Sequence, residues 1–209
     1  MARTTLLLPA ALTVAALTLS ACSDGSEDAS AAPTTAAGVT TSVTGTAASG
    51  QDEEFSETDV MFAQMMLPHH QQAVEMSDII LAKDDVPTDV AALAAEIKAV
   101  QGPEIAQLTE WLERWGEPIE PLDGRGGHYM SMMEGMVSDD ELQQLSQAQR
   151  ADVARMFMEQ MITHHEGAIA MAEEEVESGR YQPAVELART IIDTQQQEID
   201  TMRDLLNSL

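Results

Sequence analysis

Four of the five histidines stand in two adjacent pairs, His69-His70 and His164-His165, and the pairs lie 95 residues apart. Each sits in the middle of a nearly repeated phrase, residues 62–76 and 157–171, which opens on Phe and closes on Met. Met66 precedes the first pair as Met161 precedes the second. The fifth histidine, His128, begins a glycine-containing stretch that holds Met130, Met132, Met133 and Met136. Imidazole and thioether are borderline and soft ligands, suited to Cu(I) as sulfur donors and to Cu(II) or Zn(II) as nitrogen donors. The chain has a single cysteine, Cys22, so thiolates cannot carry the chemistry within one molecule. Metal binding is therefore the first reading. Its bland alternative is that the methionines fill a core and the histidines are structural.

A second repeated phrase supplies carboxylates. Leu93, Ile97, Gln101, Glu104, Ile105 and Leu108 recur as Leu187, Ile191, Gln195, Glu198, Ile199 and Met202. At about 100° per residue, Glu104 and Glu198 fall at the centre of apolar stripes, where a carboxylate is costly unless a partner satisfies it. Gln101 and Gln195 flank these acids by one turn, so all four are expected to support the ligands rather than to bind metal. The same arithmetic turns His69 and His164 inward, near the buried acids, with Met66 and Met161 on the same line. It puts His70 and His165 about 80° away, on the flank, which makes them and the His128 segment the more reachable ligands.

These positions need helices. Capping-box patterns begin at Ser56 and Ser138, and Gly179 followed by Pro183 marks a stop and a start. Each repeat reads as a His-bearing helix followed by a Gln-x-x-Glu helix. One hairpin cannot bury its apolar stripe alone, whereas two pack as a four-helix bundle. The expected fold is all-α, one duplicated helical domain over residues 55–209, with repeats at about 55–116 and 138–209 and a short connector helix at about 139–145. Pro68 and Gly102-Pro103 interrupt only the first repeat, so its hairpin is expected to be bent and more open.

Ahead of the domain, residues 1–21 read as an export signal, with Arg3, a short apolar run and small residues before Cys22. The ending resembles a bacterial lipobox, which makes Cys22 the expected lipidation site and the extracytoplasmic face of the membrane the expected location. Residues 22–54 are rich in Ser, Thr, Ala and Gly and read as a disordered tether. With 36 acidic against 10 basic residues, the chain has no footprint for nucleic acid.

The paired motifs resemble those of the Domain of Unknown Function 305 family. Its Met-x-Pro-His-His-x-x-Ala-x-x-Met pattern maps onto Met66, Pro68, His69, His70, Ala73 and Met76, and its Gln-x-x-Glu-Ile-x-x-Met pattern onto Gln195, Glu198, Ile199 and Met202. The resemblance covers residues 55–209 in duplicate. It implies a ferritin-like helical bundle and, from extracytoplasmic relatives, copper binding and tolerance. The sequence departs from the pattern at Thr163, where the family has Pro, and at Leu108, where it has Met. Asp59, three residues before a helix Phe, has Ala154 as its counterpart.

The expected function is a lipoprotein that buffers copper or passes it to a donor or acceptor protein, without catalysis. An interaction module with no metal, its His and Glu paired structurally, is the alternative. A ferritin-like oxidoreductase is disfavoured, because di-iron sites usually carry Glu-x-x-His and no Glu lies three residues before any paired His.

Overall fold

A computed structural model describes residues 54–119, 133, 135–149 and 151–209. Cys22, His128, Met130 and Met132 lie outside the described residues, as do the export signal and nearly all of the tether. The described residues form five helices and no strand: α1 (Glu57–Leu81), α2 (Thr88–Trp115), α3 (Asp139–Gln147), α4 (Ala151–Ser178) and α5 (Gln182–Ser208). The architecture is the expected all-α bundle.

Helix starts follow the local chemistry. Ser56 and Asp59 form a reciprocal capping box at α1, and Ser138 and Glu141 form another at α3. Each satisfies amides that a first turn leaves without partners. Gly116, at φ 73°, ends α2 in the left-handed conformation that glycine adopts without strain. Pro183 lies in the first turn of α5, where its missing N–H costs nothing. Pro68 and Pro103 fall inside α1 and α2, yet neither helix breaks there.

Packing places the two His-bearing helices at the centre. α1 lies against α2 and α4, and α4 lies against α1 and α5, while α2 and α5 touch more sparingly. α1 and α4 are therefore covered on two sides each. Two apolar clusters fill the interior. One joins Phe62, Met66, Leu108, Trp111 and Ala168 with Tyr181 and Ile191. The other joins Met76, Ile80, Ile97, Phe157, Met161 and Met202. The histidines stand in the middle lengths of α1 and α4, flanked along each helix by members of both clusters.

Candidate metal centre

His69 and His164 meet at the α1–α4 contact, their ring centroids 3.7 Å apart and the planes inclined by 42°. His70 and His165 reach the outer helices instead. His70 Nε2 lies 2.7 Å from Glu104 on α2, and His165 Nε2 lies 2.7 Å from Glu198 on α5. All four rings are buried, none more than 1% exposed. The site is thus a buried row of two His–Glu pairs with two tilted imidazoles in contact between them.

This arrangement corrects the helical-wheel reading of the pairs. The second histidine of each pair is not on an accessible flank, and it is the one that contacts the buried acid. The expectation assumed one buried stripe per helix. Because α1 and α4 each pack against two neighbours, a direction 80° from the stripe still points into protein. The other inward positions agree with expectation. Glu104, Glu198, Gln101 and Gln195 are buried, as are Met66 and Met161 one turn before the histidines.

The electrostatics leave His164 neutral. Burial, and then the neighbouring charges of His69, His165 and His70, hold its pKa well below the usual imidazole value. Both of its ring nitrogens are buried without a hydrogen bond. Nδ1 of His70 and of His165, both polar atoms of the Gln101 amide and Oε1 of Gln195 share that condition. A buried polar atom without a partner typically costs about 1–3 kcal/mol, so a cluster of them is unusual in a purely structural core. A cation that accepts their lone pairs would recover part of that cost. The residues therefore fit a soft or borderline metal in kind. They are not preassembled around one, since among the described residues no three His, Cys, Asp or Glu converge as ligands. Two imidazole nitrogens on one ion stand roughly 3.3–4 Å apart, from tetrahedral to linear, at about 2 Å per metal–nitrogen bond. The tilted rings, with centroids 3.7 Å apart, must swing edge-on before they can share an ion.

The methionine-bearing connector ends on this row. Gly135, at φ 87°, lies so close to α4 that a Cβ would come within 2.4 Å of the Thr163 carbonyl oxygen and 3.0 Å of His164 Cα. Only glycine accepts both that backbone conformation and that approach. The Gln72 amide then holds Val137 at both ends, donating to its carbonyl at 2.8 Å and accepting from its N–H at 2.7 Å. Met133 and Met136 are half-buried, and Met133 packs on the core. Two of the four expected loop ligands are thereby tied down beside the histidine helices.

Sequence reasoning passed over one buried acid. Glu175 is fully buried beside Asp59, also fully buried. It lies eighteen residues after Phe157, five whole turns at 3.6 residues each, so the inward line through Phe157, Met161 and His164 pointed to it.

A family model described as Domain of unknown function (DUF305) matches residues 59–206. Three solved structures carry the same fold. A DUF305 fragment from Deinococcus radiodurans is 34% identical with a TM-score of 0.65, over 74% of this chain and 99% of that one. A DUF305 protein of Streptomyces coelicolor, described as a presumed secreted protein, is 33% identical with a TM-score of 0.67, over 72% of this chain and 93% of that one. CopM in its Cu(I)-bound form is 30% identical with a TM-score of 0.60, over 73% of this chain and 98% of that one. CopM is also solved with Cu(II) and with silver. No curated protein matches the chain.

Proposed function

The chain belongs to the DUF305 family, and from that premise we propose that it binds copper at the buried histidine row and holds or hands on the ion without transforming it. The observation that carries this reading is His164, a neutral imidazole with both nitrogens buried and unbonded, its ring in tilted contact with that of His69. Met66 and Met161, one turn earlier on the same helices, would supply thioether sulfur for Cu(I). The Glu104–His70 and Glu198–His165 pairs would fix the flanking rings and set which nitrogen of each is free. Met133 and Met136, with His128, Met130 and Met132 earlier in the connector, would pass the ion between solvent and the row. Binding of Cu(I), Cu(II) and silver by CopM, a structure 29–30% identical to this chain, supports the choice of metal.

The proposed setting is the outer face of a membrane, with Cys22 as the lipidated residue and residues 22–54 as the tether. The description of the Streptomyces coelicolor relative supports export. Among the described residues no helix is long and apolar enough to cross a membrane.

Titration of the full chain with Cu(I) tests the reading. Binding should raise the thermal midpoint, because a ligand of the native state must stabilise it. It should also move the ring-proton resonances of His69 and His164, and the His69→Gln/His164→Gln variant should lose that equivalent of metal. A second reading, a metal-free interaction module, draws on the absence of a convergent three-ligand group among the described residues. An unchanged thermal midpoint and unmoved histidine signals would establish that reading instead.

A further inference from the structure

All four imidazoles of the row are buried, so an ion reaches them only when part of their cover moves. Two of the covers are the long helices α2 and α5, each tied to the row by a buried His–Glu pair. Another is the described end of the connector, residues 133 and 135–137, which forms no helix. Met133 packs on one apolar cluster and Val137 belongs to the other. Gly135 lies against the backbone of Thr163 and His164 on α4, and Val137 is held by Gln72 on α1. The connector end therefore crosses the α1–α4 contact at the level of the histidines.

What holds this cover in place is small. Gln72, one turn after His69, grips Val137 with both ends of its amide: Nε2 donates to the carbonyl at 2.8 Å, and Oε1 accepts from the N–H at 2.7 Å. Gly135, at φ 87°, fits only because it lacks the Cβ that would come within 2.4 Å of the Thr163 carbonyl oxygen. Two neutral hydrogen bonds cost less to break than a buried His–Glu pair, so the connector end opens more readily than α2 or α5. The position 95 residues on from Gln72 is Gly167, which has no side chain to grip with. The duplication supplies the histidine pair twice and this clamp once.

We propose that Gln72 is a positioning residue, which holds the connector end over the histidine row and thereby sets how fast an ion enters and leaves. The inference rests on the proposed binding of copper at that row and adds no ligand to it. Gln72 acts through the backbone of Val137, not on the ion. A cover that shuts alike over the empty and the filled row slows entry and release by the same factor. The affinity, which is their ratio, stays where it was.

Stopped-flow exchange of Cu(I) between the full chain and a soluble Cu(I) chelator is the test. Gln72→Ala should speed uptake and release by roughly tenfold each, the scale of two lost neutral hydrogen bonds, with the affinity within about twofold of the parent. Gln72→Glu, which accepts from the Val137 N–H but cannot donate to its carbonyl, should fall between. Gly135→Ala, which unseats the same segment through a different contact, should repeat Gln72→Ala. Unchanged rates overturn the inference. Weaker binding with unchanged uptake does so too, since Gln72 would then act on the bound ion. A metal-free arm does not depend on copper. In Gln72→Ala the Val137 amide should exchange faster with deuterium, and diethyl pyrocarbonate should modify His69 and His164 faster. A parent chain that binds no Cu(I), in which Gln72→Ala still brings both changes, overturns the proposed function while supporting the cover. Unchanged modification despite a freed Val137 amide overturns the cover.

Discussion

The two halves of the bundle agree at the histidines and disagree one helical stretch away. Each half presents a His-His pair, sends its second histidine 2.7 Å to a Glu on the next helix and gives its first to the shared ring contact. Around that row the copies differ: Asp59 and Glu175 in one place, Ala154 and Ile80 in the other. A duplicated fold keeps what both copies need and varies what each can vary without losing its core. The histidine row belongs to the first kind. The acid pair belongs to the second, and only the α1 start gains a tie to the α4–α5 turn through Asp59.

The largest effects are expected where the copies agree. His70→Ala leaves Glu104 buried without its partner, and His165→Ala does the same to Glu198. Breaking a buried pair of this kind costs about 3–5 kcal/mol, since one polar or charged group stays behind unsatisfied. Urea unfolding of both variants should give losses of that order, matched to within about 1 kcal/mol because contact distance and burial match. A large loss in one half and a small one in the other would break the equivalence of the pairs.

A pH profile sharpens the disagreement between the two ends of the α1–α4 contact. Burial, the contact with Asp59 and the charges of Asp59 and Glu174 push the Glu175 pKa up to about 9, from an ordinary value of 4.5. The folded state thus holds this proton more tightly than the unfolded chain does. The stability it contributes is complete below pH 4.5, declines as pH rises and is fully lost once pH passes about 9. Asp59 acts only in acid: although burial opposes its charge, hydrogen bonds from Ser56, Glu175 and the Tyr181 backbone hold it below 3.8. His164, depressed by burial and its histidine neighbours, removes stability as pH falls below 6.5. Between pH 6.5 and 9 the slope should therefore come mainly from Glu175. Glu175→Gln, neutral and of the same shape, should flatten it in urea unfolding and be more stable than the parent at pH 8. An unchanged slope would show that Glu175 ionises freely.

Much of this was legible in the sequence because helices repeat every 3.6 residues. Five helix positions, two capping boxes and the inward setting of Glu104 and Glu198 all follow from periodicity and capping chemistry. What periodicity cannot give is how many neighbours a helix has. His70 and His165 were misread for that reason, since their direction was right but a second packed helix lay along it. Glu175 shows a different limit. Its phase was readable, yet a Glu in the acidic run of residues 173–175 looks like a solvated face until the neighbouring helix is in place.

The smallest expected effects lie on the surface, where the copies also differ. Arg203 on α5 bridges Glu166 on α4 at 2.8 Å, while the corresponding positions in the first half are Thr109 and Gln71. The first half has its own bridge, Lys98 with Asp78, where the second has Ile192 and Glu173. These side chains are about half exposed, so water and salt screen their attraction. Arg203→Ala and Lys98→Ala should each cost less than about 1 kcal/mol in urea unfolding, and the cost should shrink further in 1 M salt. A salt-insensitive loss above that size would mean that the arginine or lysine stem covers apolar surface, and that half of the bundle would then depend on its rim for packing. With the expected small losses, the surface differences carry little energy, and the asymmetry of the bundle lies between its two ends, in the interior exchange of Ile80 and Ala154 for Glu175 and Asp59.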